Sequence, residues 1–500
     1  MVTMKEIPTE LIYKILSYMN AKEAFKFTST TKYFKHIRNF LLSNHLSSII
    51  RSTNTVDIWK NMSSFIHSIA LYKVRGGMEL NDLCDYLIDS FDDIYQVKEL
   101  KLCSRTVDCS FIAQFIGLKN LSFKPMPIKD ISCLSPLTEL ESLIIKHTRL
   151  QNIQVLQNFK NLFHADLSYT YIRNIDDLYG LPLRRLSLRG NNLAYISSLS
   201  SLIHLEELDL GNNHISSIHA LANLHNLQVL LLDVNQLRSV DYLSQLLELR
   251  SLDVSENRII DLNPLSKLHN LKILNFKSNW VESLEGIFRL SNLIELNGEQ
   301  NRISKLNTDD IINHSKLTFF NVKNNKILCR GLNTTQKPIP KLASPLTELY
   351  IDCQVRQIWS DNRSFWIQAD PHSSMDLLTD VSFLYQLNAL KRLEIKASHI
   401  KEIEFLSHLI HLVHLDLSSN EISNISPLSE LAYLKSLNLK QNRVVDLQPL
   451  GKLNDLKLNK FKSTTIPHLE YLNVTLNPIA DTSCLMFCFY YSEFCFPKNL

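Results

Sequence analysis

The side chains that could do covalent or metal chemistry are few and poorly arranged for it. Cys484, Cys488 and Cys495 crowd the last turn of the sequence. Their spacing is not C-x-x-C and no histidine pair follows, so they lack a zinc-finger donor pattern, and no base is placed to activate a thiol. Buried apolar cysteine is the reading they support. The histidines fall mostly in L-x-H-x-L settings such as His204, His214, His219, His225 and His269, a turn pattern and not a ligand set. Ten glycines and no G-x-x-x-x-G-K exclude a phosphate-cradling loop. Lys457, Lys460 and Lys462 make a small basic patch of the kind a solvated loop carries. We therefore expect no enzyme, no cofactor and no metal.

One polar residue type does recur at a fixed interval. Asn191, Asn213, Asn235, Asn257, Asn279, Asn301, Asn325, Asn420, Asn442 and Asn477 stand at one phase, with Thr148, Thr170 and Ser398 substituting. A side-chain amide both donates and accepts, so it can satisfy backbone groups where a chain leaves a strand and bridge neighbouring turns of a coil. The element around it is an apolar frame of about 22 residues. Leu202–Leu221 is a clean copy: Leu208 and Leu210 form L-x-L, Asn213 follows, then Ile215, Ile218 and Leu221. L-x-L places both leucines on one face of a short strand. The pair recurs at Leu143/Ile145, Ala165/Leu167, Leu186/Leu188, Leu230/Leu232, Leu252/Val254, Leu274/Phe276 and Leu296/Gly298, and again at Leu393/Ile395, Leu415/Leu417 and Leu437/Leu439. Weaker copies sit at Leu100/Leu102, Leu121/Phe123, Phe320/Val322, Leu349/Ile351 and Leu472/Val474, about sixteen units in all. A single unit cannot close its own core, so the units must stack.

Residues 99–480 resemble the short class of the leucine-rich repeat family, with N-x-I-x-x-I-x-x-L after the strand. The fold class this implies is an α/β solenoid. A curved parallel sheet lines its concave face, and short helical, 3-10 or extended segments line the convex one. Such a molecule is a surface for holding another protein.

A second resemblance lies at Ile7–Ile37. Ile7-Pro8-Thr9-Glu10-Leu11 and Ile15-Leu16-Ser17-Tyr18-Met19, with Phe34 at a later aromatic position, resemble an F-box. Thr30, Thr31, Ala24 and Met19 depart from that family's pattern. Pro8 suits a first helical turn and Leu11, Ile15, Leu16 and Met19 form one apolar stripe. The resemblance implies a three-helix module in which Ile7, Pro8, Glu10, Leu11, Ile15, Leu16, Met19 and Phe34 dock a Skp1-like adaptor. Through it they would reach a cullin complex, and the repeats would act as substrate receptor of a ubiquitin ligase. Two plainer readings stay open: a helical cap for the first coil, since solenoids need caps, and an interaction scaffold such as a phosphatase regulator with no ubiquitin role.

The expected organisation is an F-box at 1–45, a helical linker and founding irregular repeat at 46–98, repeats at 99–340, an irregular repeat with a Trp-rich insertion at 341–380, repeats at 381–480 and a C-terminal cap at 481–500. Basic and acidic residues nearly balance, 53 against 50, and the formal net charge is +3. Neither nucleic acid nor an anionic membrane is favoured as partner. No secretory signal is visible, no run of ~18 apolar residues could span a membrane, and nine scattered cysteines suggest a reducing compartment. The expected location is the cytoplasm or nucleus of a eukaryotic cell, or host cytoplasm for a virus or bacterium.

About fourteen strands at ~4.8 Å spacing would give a concave face of about 65 Å. Candidate partner-binding residues on it are Asp209 and Asp253 in the column between the core leucines, and the apolar Val229, Leu231, Ile273 and Phe319, which ask for a reason on a polar sheet. A wet sheet face explains the acids equally well. Trp359, Phe365 and Trp366 in the insertion are further candidates, as aromatic anchors or as local packing of a long loop.

Overall fold

The computed structural model describes residues 68–71, 98–102, 112–113, 115–123, 128–325 (305 and 307 apart), 344–352, 382–453 (399 apart), 469–481 and 493–495. The F-box resemblance at Ile7–Phe34, the insertion with Trp359, Phe365 and Trp366, the basic patch at 457–462 and the cysteines at 484 and 488 all lie outside them. The chain divides into two units, Met1–Leu227 and Gln228–Leu500.

In the first unit the described strands are β1 (Ser68–Leu71), β2 (Glu99–Leu102), β3 (Asn120–Phe123), β4 (Ser142–Ile145), β5 (His164–Asp166), β6 (Arg185–Ser187) and β7 (Glu207–Asp209). Each pairs in parallel with the next, core residue against core residue: Leu100 faces Leu121, Leu121 faces Leu143, and Leu186 faces Leu208, with Ala165 between Leu143 and Leu186. A three-residue strand buries only its middle side chain. The next buried residue, Leu188 or Leu210, starts the turn away from the sheet.

The second unit continues the same plan with β8 (Val229–Leu231), β9 (Ser251–Asp253), β10 (Ile273–Asn275), β11 (Glu295–Asn297), β12 (Phe319–Asn321), β13 (Glu348–Asp352), β14 (Arg392–Lys396), β15 (His414–Asp416), β16 (Ser436–Asn438), β17 (Tyr471–Asn473) and β18 (Glu493–Cys495). All these neighbours are parallel. The segment expected as a cap thus contributes a strand of its own, β18, in register with β17. Across the insertion the register is unbroken, with Leu349 opposite Leu393 and Ile351 opposite Ile395.

The side opposite the strands carries 3-10 turns such as Ser197–Ser201, Asn263–Lys267 and Ser426–Glu430, each delivering one leucine (Leu199, Leu265, Leu428) into the core. A 22-residue circuit leaves room for only a turn or so, which suits the tight 3-10 form. Pro264 and Pro427 stand in the first turn of two of them, where a missing N–H costs nothing. Between Leu296 and Phe320 the period lengthens, and an α-helix, α1 (Thr308–Asn313), takes up the extra residues. Cys133, in the 3-10 turn Ser132–Leu134, is disulfide-bonded.

Candidate functional site

The strand face is the surface every coil helps to build, and two hydrogen-bond systems fix its edge. The first is the asparagine ladder. The Asn257 amide donates to the carbonyls of Leu232 (2.9 Å), Val254 (3.1 Å) and Ser255 (3.0 Å) and accepts from the Leu237 N–H (2.9 Å). Asn279, Asn301, Asn420 and Asn442 repeat this bridge in the second unit, and Asn191 and Asn213 do so in the first. The residue before each ladder position has a left-handed backbone, for example Val234 (φ 54°), Glu256 (φ 53°) and Leu476 (φ 60°), with glycine used only at Gly190 among the described ladder steps.

The second system uses the column between the core residues. The side-chain oxygen of each Asp or Asn there accepts from the backbone N–H two residues on: Asp253 from Ser255 (2.9 Å), Asn321 from Lys323 (3.1 Å), Asp416 from Ser418 (3.0 Å) and Asn438 from Lys440 (3.1 Å). This is the Asx turn. Asp209, in the first unit, accepts from the Gly211 N–H (3.0 Å), the Arg189 Nε–H (3.0 Å) and the Ser187 hydroxyl (3.3 Å). The other oxygen of Asp253 accepts from Asn275 (2.8 Å). The carboxylates of Asp209 and Asp253 are therefore committed to the fold, which accounts for this column's acids more fully than a wet face does.

The apolar candidates remain. Val229, Leu231, Ile273 and Phe319 all lie on the strand face of the second unit; Ile273 is 39% exposed and the others are half-buried. Leu231 occupies a position where its neighbours carry the capping Asp or Asn. Tyr350, between Asn321 and Glu394, also interrupts the column, and sequence reasoning missed it; its departure from the Asx pattern was the available signal. The Tyr350 and Phe319 rings lie 5.5 Å apart, and the Lys323 ammonium sits 4.8 Å from the Tyr350 ring. The Tyr350 hydroxyl donates to Glu348 (2.6 Å); burial, and then this bond, push its phenol above the ordinary range.

Beside this aromatic pair runs a chain of charges. Lys323 and Lys396 both pair with Glu394, and Lys396 also pairs with Asp416 (2.8 Å). Burial works against ionising Asp416, but the hydrogen bonds from Lys396 and Ser418 prevail and hold its carboxyl below the usual range. His414 is held below the ordinary histidine range by burial first and by Arg392 next. Among the described residues no group of His, Cys, Asp or Glu is arranged to hold a metal ion, and no helix is long and apolar enough to cross a membrane.

Models of the leucine-rich repeat match this chain at residues 183–223, 408–425 and 465–488. The coils in these stretches match leucine-rich repeats. A leucine-rich-repeat protein of Leptospira interrogans matches 86% of this chain and 95% of its own, with a TM-score of 0.62 at 20% identity, which speaks for the fold alone. An Arabidopsis thaliana protein described as a protein phosphatase 1 regulatory inhibitor subunit PPP1R7 homolog is 27% identical over 172 residues, 32% of this chain and 52% of its own length. The human serine/threonine-protein kinase 11-interacting protein is 28% identical over 179 residues, 31% of this chain and 16% of its own. The chain thus spans about half of the first relative and a smaller part of the second. No F-box domain is detected.

Proposed function

We propose that the partner held by these repeats is a serine/threonine protein phosphatase of the type-1 class, and that the chain regulates it without catalysing anything itself. The observation that carries this is the strand face of the second unit, where a structurally demanding Asx column gives way to Leu231 and Tyr350. A repeat gives up a backbone cap at a surface position when the side chain there has another task. The similarity to the phosphatase 1 regulatory inhibitor subunit homolog supports the choice of partner class. The test is capture of purified phosphatase 1 catalytic subunit on the immobilised full chain. Capture that weakens on Phe319→Ala supports the reading, and no capture overturns it.

A second reading rests on a different observation, the paired motifs Ile7-Pro8-Thr9-Glu10-Leu11 and Ile15-Leu16-Ser17-Tyr18. In it the chain presents its target to a Skp1-like adaptor and a cullin ligase. Skp1 offered in the same capture experiment separates the two. Retention lost on Leu11→Ala plus Pro8→Ala supports adaptor docking, and absence of retention removes it.

A further inference from the structure

The apolar residues of the second unit's strand face lie on one line. Val229 is in register with Ser251, Ser251 with Ile273, Ile273 with Glu295, and Glu295 with Phe319. Apolar side chains therefore recur on alternate strands, with polar ones between. Adjacent strands are ~4.8 Å apart, so successive apolar groups are separated by about 9.6 Å. Leu231 flanks the line at one end and the Phe319–Tyr350 pair closes it at the other.

That interval selects the conformation of what lies across it. A helix rises about 10.5 Å in seven residues, two turns, and brings the same face round again. An extended chain repeats its face every ~6.7 Å, which misses the second contact, and its third residue, at ~10 Å, points away. The charge is specific as well. Glu295 is exposed, stands midway between Ile273 and Phe319, and has no ion pair among the described residues. Lys277 is taken by Glu299 (3.1 Å) and Lys323 by Glu394.

We propose that this line is a seat for one amphipathic helix of a protein partner. That helix carries apolar residues seven apart and a lysine or arginine between its second and third apolar contacts, over Glu295. The proposal rests on the reading that the strand face is the docking surface, but not on the partner being a phosphatase.

The probe is a labelled peptide of about 21 residues with leucines seven apart and one lysine at the stated place, titrated against the full chain by fluorescence anisotropy. Two controls accompany it: one of the same composition with leucines five apart, and one with a central proline that breaks the helix. We expect saturable binding of the first peptide and at least about tenfold weaker binding of both controls. Ile273→Asp should weaken the first peptide by about tenfold as well. Glu295→Lys should weaken it too, and should restore binding to a peptide with glutamate in place of the lysine; both substitutions fall on exposed positions, and circular dichroism verifies that the coils persist. Equal binding of all three peptides, no saturable binding of the first, or indifference to both substitutions overturns the proposal. The phosphatase reading fails separately, since loss of phosphatase capture leaves peptide binding untouched.

Discussion

Asn257 shows how one side chain is used to the full at the edge of a coil. Its amide meets three carbonyls and one N–H, belonging both to its own coil and to the one before it. Truncation leaves the buried Leu237 N–H without a partner and takes from the Leu232 carbonyl one of its two amide donors, Asn235 keeping the other. Asn257→Ala should cost about 1–3 kcal/mol in urea unfolding; a midpoint unchanged from the parent would remove the ladder from the account. The preceding residue is in the left-handed region in every described ladder step, and most of those residues are not glycine. Val234 is β-branched, for which that region is sterically unfavourable. The ladder asparagine over-determines the backbone at this point. The bridging role of the asparagines was legible in the sequence because their interval is constant. The left-handed residue was not, because Val234, Glu256, Ser278 and Gln300 share no chemistry that a pattern could carry.

At the scale of the element, strands and turns were readable because L-x-L and I-x-x-I-x-x-L alternate between periods of two and three. Two irregularities needed the structure. In the pair Leu296/Gly298, glycine stands where the second apolar belongs. The ring of Phe276, one coil earlier, fills that space, and a Cβ on Gly298 would fall inside it. Large and small residues thus compensate between adjacent coils. Gly298→Ala should destabilise by about 1–3 kcal/mol through overpacking. With Phe276→Leu alongside, the penalty should fall away in a double-mutant cycle; additive effects would show that the two sites do not share the space. The other irregularity is the column between core leucines. Its acids invite assignment as binding residues, yet Asp209 and Asp253 cap the strand exit. Sequence alone cannot separate an aspartate that faces a partner from one that accepts its own backbone N–H. The late strand Glu493–Cys495 was hidden for a related reason: Phe494, Phe496 and Asn499 keep the L-x-L-x-x-N frame, but with phenylalanine in place of both leucines.

For the whole molecule, the account places function on a surface and not in a pocket. The scaffold supplies coils in register, and the departures from their own rule supply the partner's contacts. Leu231 and Tyr350 are where this division can be tested with the fold kept, because asparagine is what other coils of the same unit carry at this position, as at Asn275, Asn297 and Asn321. The doubly substituted chain, Leu231→Asn with Tyr350→Asn, should keep its coils by circular dichroism, the two regained backbone caps offsetting the lost Tyr350 contacts. Its affinity for the captured phosphatase catalytic subunit should meanwhile fall by about tenfold or more. Parent-like affinity in a chain that keeps its coils would contradict the claim that this strand face is where the molecule holds its partner.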